Sequence, residues 1–165
     1  MDGPQPCRFQ FGLRALLKAA FSVAIQRRLE SKMPLVYRVM GKDANDKPII
    51  ADDGGLGVRV GLDISVDGQG NALVNNRGMS VFRAWRDISL LRLPPRLLEG
   101  GRGDDETYCF RMSDGPFIQG PFAAGLELLT QTPKHGVIRP DQVMPLVNYR
   151  ANLVATQNDW DIDES

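Results

Sequence analysis

The segment Asn76-Arg77-Gly78-Met79-Ser80-Val81-Phe82 holds the first candidate for a binding or catalytic pocket. Asn and Gly tolerate positive φ, so the turn Asn75-Asn76-Arg77-Gly78 can aim backbone N–H groups at a ligand. Ser80 follows with a hydroxyl that both donates and accepts. The plainer reading of these residues is a hairpin turn, with Ser80 capping a short helix. Arg38 lies in phase with Val36 and Met40, and an arginine on that strand face is costly to bury without an anionic partner. Asp63 or Glu127 would serve as a structural partner. A phosphate would match the two-pronged donor geometry of Arg38 as a ligand. His135 is the only histidine and opens an apolar strand after Pro133-Lys134. A hydrogen-bonded structural role there competes with a catalytic one, which its near-neutral pKa permits. Gly55-Leu56-Gly57 with Gly61 shares glycines with a dinucleotide fingerprint. It lacks the preceding strand and following helix that would seat a pyrophosphate, so these read as strand and turn glycines.

Composition narrows the chemistry. Twenty basic and twenty acidic side chains in 165 residues give a formal net charge of zero, which argues against a dedicated nucleic-acid binder. Cys7 and Cys109 fall in no CxxC pattern, so neither a disulfide framework nor a thiolate zinc site is expected, and no metal is called for. A single histidine argues against a His-rich metal site, and leaves a Ser-His-Asp triad only with His135 as the base. No apolar run is long enough to span a bilayer. Arg14 and Lys18 interrupt the stretch from Leu13 to Ile25, which makes a secretory signal a poor fit.

These side chains need elements to position them. In residues 1–32, Leu13, Leu16, Leu17, Ala20, Phe21, Ala24 and Ile25 recur at helical spacing within a basic segment. Three readings stand: a helix packed on the domain, an organelle-targeting or membrane-surface helix touching lipid through residues 9–29, or a leader ahead of Met33. From Met33 the pattern turns to short strands and turns. Leu35–Met40 reads as a strand ended by Gly41. Leu56, Val58, Val60, Leu62 and Ile64 alternate with Gly57, Arg59, Gly61 and Asp63, which predicts a half-buried strand or two strands broken at Gly61. Gly100–Asp105 reads as a flexible loop. Strands follow at Thr107–Met112, Leu126–Thr130 and His135–Arg139. Pro145 is placed to start a last helix with Leu146, Tyr149 and Leu153 on one face. Asp159–Ser165 reads as a solvated acidic tail. This order predicts an α+β fold rather than a doubly wound sheet.

Taken together, the strand Val36-Tyr37-Arg38-Val39, Asp63-Ile64 with Asp67-Gly68, the segment Gly78–Phe82, the strand around Leu126-Glu127-Leu128, His135 with Ile138-x-Pro140 and Met144, and a C-terminal amphipathic helix occur in a telling order. In that order, from about Met33 to Trp160, the chain resembles the toxin family exported by bacterial type VI secretion, whose toxicity is NAD-dependent and whose fold is like that of ADP-ribosyltransferases. The resemblance implies a split, strongly bent β core holding NAD in a cleft. It implies a cytotoxic effector acting in the cytoplasm by mono-ADP-ribosylation of an acceptor macromolecule, or by NAD binding or hydrolysis without transfer. A cognate immunity protein would accompany it. Arg38 would hold phosphate or ribose, Ser80 the ribose, and Tyr37 and Phe82 would pack on the nicotinamide. Gly78 and Met79 would line the cleft. Met79 stands where a hydroxyl residue is more usual. The later-strand acid would be Glu127, unless His135 takes that place. Domain bounds of 33–160, with 161–165 as tail, follow from the same match.

Two other classes remain open. One is an interaction module using the 101–125 loop through Phe117, Ile118 and Phe122. The other is a phosphate transferase acting on RNA ends, which would need a basic patch at the cleft.

Overall fold

Val36–Gly41 (β1) and Thr107–Met112 (β4) are runs of β-branched, aromatic and long apolar residues, the types that fit a pleated surface. In the computed structural model, which describes residues 33–101 and 106–165, they pair antiparallel from Val36↔Met112 to Gly41↔Thr107. The helix expected near residues 13–25, Cys7 and the tip of the 100–105 loop lie outside the described residues. Further strands are Asn71–Ala72 (β2), Met79–Phe82 (β3), Gly120–Ala123 (β5), Leu126–Thr130 (β6), His135–Pro140 (β7), Met144–Pro145 (β8) and Trp160–Ile162 (β9). Seven of them form one antiparallel sheet in the order β5-β6-β7-β3-β1-β4-β9, while β2 and β8 pair separately. Among the described residues one α-helix, Leu146–Ala155 (α1), follows Pro145 as expected from proline's preset φ. The fold is α+β, mostly a curled antiparallel sheet with one C-terminal helix.

The sheet separates two apolar clusters. On one side Val36, Met40, Met79, Val81, Phe110 and Ile138 pack with Tyr149 and Leu153 of α1 and with Trp160. On the other, Ile88, Leu93 and Cys109 are covered by Tyr37, Val39, Phe82 and Trp85. Tyr149 is fully buried, and its hydroxyl donates to the Ile138 carbonyl at 2.7 Å. Removing that oxygen leaves a buried carbonyl short of a donor. Tyr149→Phe is therefore expected to lower stability by about 1–2 kcal/mol in urea denaturation.

Four expectations change. Ser80 caps no helix; it is a β3 residue, and the only helical turn nearby is the 3₁₀ segment Trp85–Asp87, preceded by Ala84. The 56–64 run is a loop, not a strand. Gly61 takes φ +83°, and the Asp63 carboxylate accepts from the Arg59 N–H at 2.9 Å, so local side-chain bonding wins over the period-two pattern. Leu56, Val58 and Ile64 are buried, while Val60 and Leu62 face solvent. Residues 101–125 are no single loop, since they contain β4 and β5, and Phe122 is core while Ile118 is exposed. The acidic tail is structural. β9 pairs with β4 through Met112↔Trp160, Arg111↔Asp161 and Phe110↔Ile162. Asp163 accepts the Tyr37 hydroxyl at 2.8 Å, and Glu164 takes the Arg96 guanidinium and the Cys109 N–H. The alternation of Trp160 and Ile162 with acids was the signal for this strand.

Candidate functional site

β1 and β3 are neighbours in the sheet, yet share a single register pair, Tyr37↔Phe82. Beyond it the Arg38 guanidinium bridges the strands, with Nη1 donating to the Ser80 carbonyl at 2.7 Å. At this split lies a cavity of about 390 Å³. Arg38 and Val39 of β1 and Ser80 and Phe82 of β3 line it. Asp53, Gly54, Arg59 and Asp63 come from the 52–64 loop, and Ile88 and Arg92 from the segment after the 3₁₀ turn.

Why Ser80 sits here is legible in the bonds behind it. Gln131 Nε2 donates to the Asn76 carbonyl and Arg139 Nη1 to the Asn75 carbonyl, each at 2.5 Å, while the Asn75 side chain accepts the Arg77 N–H at 2.9 Å. These bonds fix the approach to β3. Gly78 is absent from the positive-φ residues. A side chain there would strike the Ile138 carbonyl, so glycine serves close strand approach rather than a ligand-facing turn.

The Ser80 hydroxyl lies 2.6 Å from His135 Nε2, across the β3–β7 pair. The imidazole stacks tilted on Phe82, with centroids 4.9 Å apart. Burial, assisted by the charge of Arg92, pulls the His135 pKa below its ordinary value. The ring is neutral at pH 7 and one of its nitrogens can take the Ser80 proton. Because the folded pKa lies below the unfolded one, the unfolded chain binds more protons just below the ordinary value, and stability is lost as pH falls through about 6.5. The thermal midpoint of the wild type is expected to drop more between pH 7.5 and 5.5 than that of His135→Gln, in a buffer series at constant ionic strength.

Arg38 is held differently. Burial draws its pKa down to about 10, against the opposing pull of Asp63, so it is charged at neutral pH. Its Nε is buried without a hydrogen-bond partner. Asp63 does not bond it. That carboxylate is claimed by Arg59, whose Nε sits at 2.9 Å, and Arg59 also reaches Asp53 at 3.3 Å. Burial acts to raise the Asp63 pKa, but the bonds from Arg59 hold it below the usual carboxylate range.

Of the residues expected at the site, the fold brings Arg38, Ser80, Phe82 and His135 together. Four others it places elsewhere. Tyr37 turns its hydroxyl to Asp163 and packs its ring in the second apolar cluster. Met79 is core, and Gly78 is sealed against β7. Glu127 opposes Arg139 and pairs with it at 2.8 Å. It shares the Ser80 sheet face but lies two strands and one row away, roughly 12 Å on ideal strand spacings. Asp53, Arg59 and Arg92 were missed. Asp53 reads as a turn residue and Arg59 as the outward side of a strand, and nothing local marks Arg92. A second concavity, of about 460 Å³, lies where β4 meets β9, lined by Arg111, Ser113 and the acids Asp159, Asp161 and Asp163. It contains none of the expected site residues. Among the described residues no helix is long and apolar enough to cross a membrane.

Chemically, the split offers a buried guanidinium with a spare donor, a hydroxyl–imidazole pair, an aromatic face and two carboxylates. That set suits an anionic ligand carrying hydroxyls and a flat ring. Compared with protein-family models, curated proteins and solved structures, the chain gives no significant match.

Proposed function

We propose that residues 33–165 are an NAD-dependent toxin domain with an ADP-ribosyltransferase-like split β core. NAD sits at the split, and its nicotinamide–ribose bond is broken. The observation that carries this reading is that the incompletely bonded Arg38 and Ser80, whose hydroxyl is bonded to His135, line one cavity. Arg38 holds the pyrophosphate with its free donor edge. Ser80, oriented by neutral His135, fixes a ribose hydroxyl. Phe82 and Ile88 exclude water from the nicotinamide ring.

As the C–N bond breaks, its electron pair leaves with the nicotinamide nitrogen and C1′ becomes an oxocarbenium carbon. A carboxylate must face that cation. In this reading Asp63 does so, in place of Glu127. An acceptor nucleophile then bonds C1′ and passes its proton to solvent through His135. The acceptor is a macromolecule in the target cell's cytoplasm, and a cognate immunity protein protects the producer.

A second version has water as the acceptor, giving NAD hydrolysis. The removal of Glu127 from the cavity by Arg139 favours it, because no free carboxylate next to Ser80 is left to activate a macromolecular nucleophile. Induced expression of the full chain in bacteria tests both versions. Growth arrest with modified protein indicates transfer, and growth arrest with falling NAD indicates hydrolysis. Unimpaired growth with unchanged NAD at good soluble yield removes the toxin reading.

A further inference from the structure

The cavity holds three guanidinium groups, from Arg38, Arg59 and Arg92, and two carboxylates. Arg59 takes both carboxylates. Arg38 has only the Ser80 carbonyl, and its Nε has no partner. Arg92 is exposed at the cavity wall, with no ion pair among the described residues. Its charge adds to burial in lowering the pKa of both Arg38 and His135. Two cations that no carboxylate bonds, on one cavity, repel each other, and an anion between them removes that cost.

Arg92 is also firmly mounted. Its N–H donates to the Ser89 carbonyl at 2.8 Å, as does that of Leu93 at 3.2 Å. The turn is anchored at each foot by a buried residue, Ile88 and Leu93. The backbone therefore holds Arg92 at the cavity from a segment outside β1 and β3.

The geometry points to a diphosphate clamp: Arg38 grips one phosphoryl group from β1 and Arg92 the other from the segment after the 3₁₀ turn, so the site selects ligands with two linked phosphates over those with one. This rests on the NAD reading for the identity of the natural ligand, but not for the clamp itself. Two forked cations on one cavity match a pyrophosphate better than a single phosphate, because each phosphoryl group supplies its own acceptor pair.

The test is calorimetric titration of the full chain, wild type and Arg92→Ala, with NAD, ADP and AMP. The arginine is exposed, so the variant keeps its fold, which circular dichroism checks. Arg92→Ala is expected to weaken NAD and ADP binding roughly ten- to a hundredfold, the loss of charge-assisted hydrogen bonds, with a much smaller effect on AMP. Arg92→Lys should recover part of that loss as a point charge. Equal affinities of wild type and Arg92→Ala for NAD and ADP would overturn the clamp while leaving the NAD reading intact. Arg92-dependent binding of ADP without binding of NAD would support the clamp and remove the NAD reading.

Discussion

Arg38→Met is expected to reduce NAD binding and turnover by at least about a hundredfold, while leaving thermal stability equal to or above that of the wild type. The two halves have one cause. Arg38 is charged and buried, yet has no carboxylate of its own, because Arg59 holds Asp63. A buried charge without a full set of partners is a net cost to folding, and relieving it with an apolar side chain of similar length offsets the loss of the donor to the Ser80 carbonyl. A ligand phosphate would supply an anionic partner where the guanidinium lines the cavity. Losing a two-pronged contact to it removes about 3 kcal/mol, or roughly a hundredfold in affinity. An arginine kept for structure would behave oppositely, since its removal would lower the melting temperature and spare ligand binding. Differential scanning fluorimetry with and without NAD separates the two.

Deleting residues 160–165 is expected to unfold the domain. Trp160 is fully buried in the main core, and replacing such a side chain with alanine costs about 3–5 kcal/mol. Its indole N–H donates to the Thr156 hydroxyl at 3.0 Å, itself buried. The deletion also strips β4 of its neighbour and leaves Arg96, Tyr37 and the Cys109 N–H without Glu164 and Asp163. Together these losses are comparable with the whole stability of a domain, typically about 5–15 kcal/mol. The point variant Trp160→Ala should stay folded and melt roughly 10–20 °C lower. A deletion variant that melts like the wild type would restore the solvated-tail reading.

How much of this was legible in the sequence depends on where the determining contacts lie. β4 and β6 were read at their observed bounds, and β1 and β7 within a residue, because each is a run of strand formers closed by glycine, proline or a polar turn. The final helix was legible from Pro145 and the spacing of Tyr149 and Leu153. The 56–64 run was misread because alternation is a local signal. Besides the Asp63–Arg59 bonds, what sets that segment is packing of Gly55 and Gly57 against the backbone of residues 49–52, which leaves no room for a side chain. β9 was hidden by the charge of its segment, since Asp161, Asp163 and Glu164 are matched by Lys47, Arg111 and Arg96, all distant in sequence.

The site divides along the same line. Arg38 and Ser80 stood out by type and position, and His135 by being alone. Their meeting depends on strand order, which residue types do not encode. Glu127 was chosen by its place on a later strand, but cross-strand pairing with Arg139 sets its role. Asp63 was noticed as a partner for Arg38, and the fold puts it in the same cavity while giving its bonds to Arg59.

The central claim is that the split between β1 and β3 binds NAD and breaks its nicotinamide–ribose bond. Its most direct test is release of nicotinamide from NAD by the purified full chain, followed by chromatography, for wild type and Ser80→Ala at equal folded protein. Nicotinamide released by the wild type and lost in Ser80→Ala is the predicted result. No release by the wild type, with or without bacterial lysate as a source of acceptor, or equal release by both proteins, would contradict it.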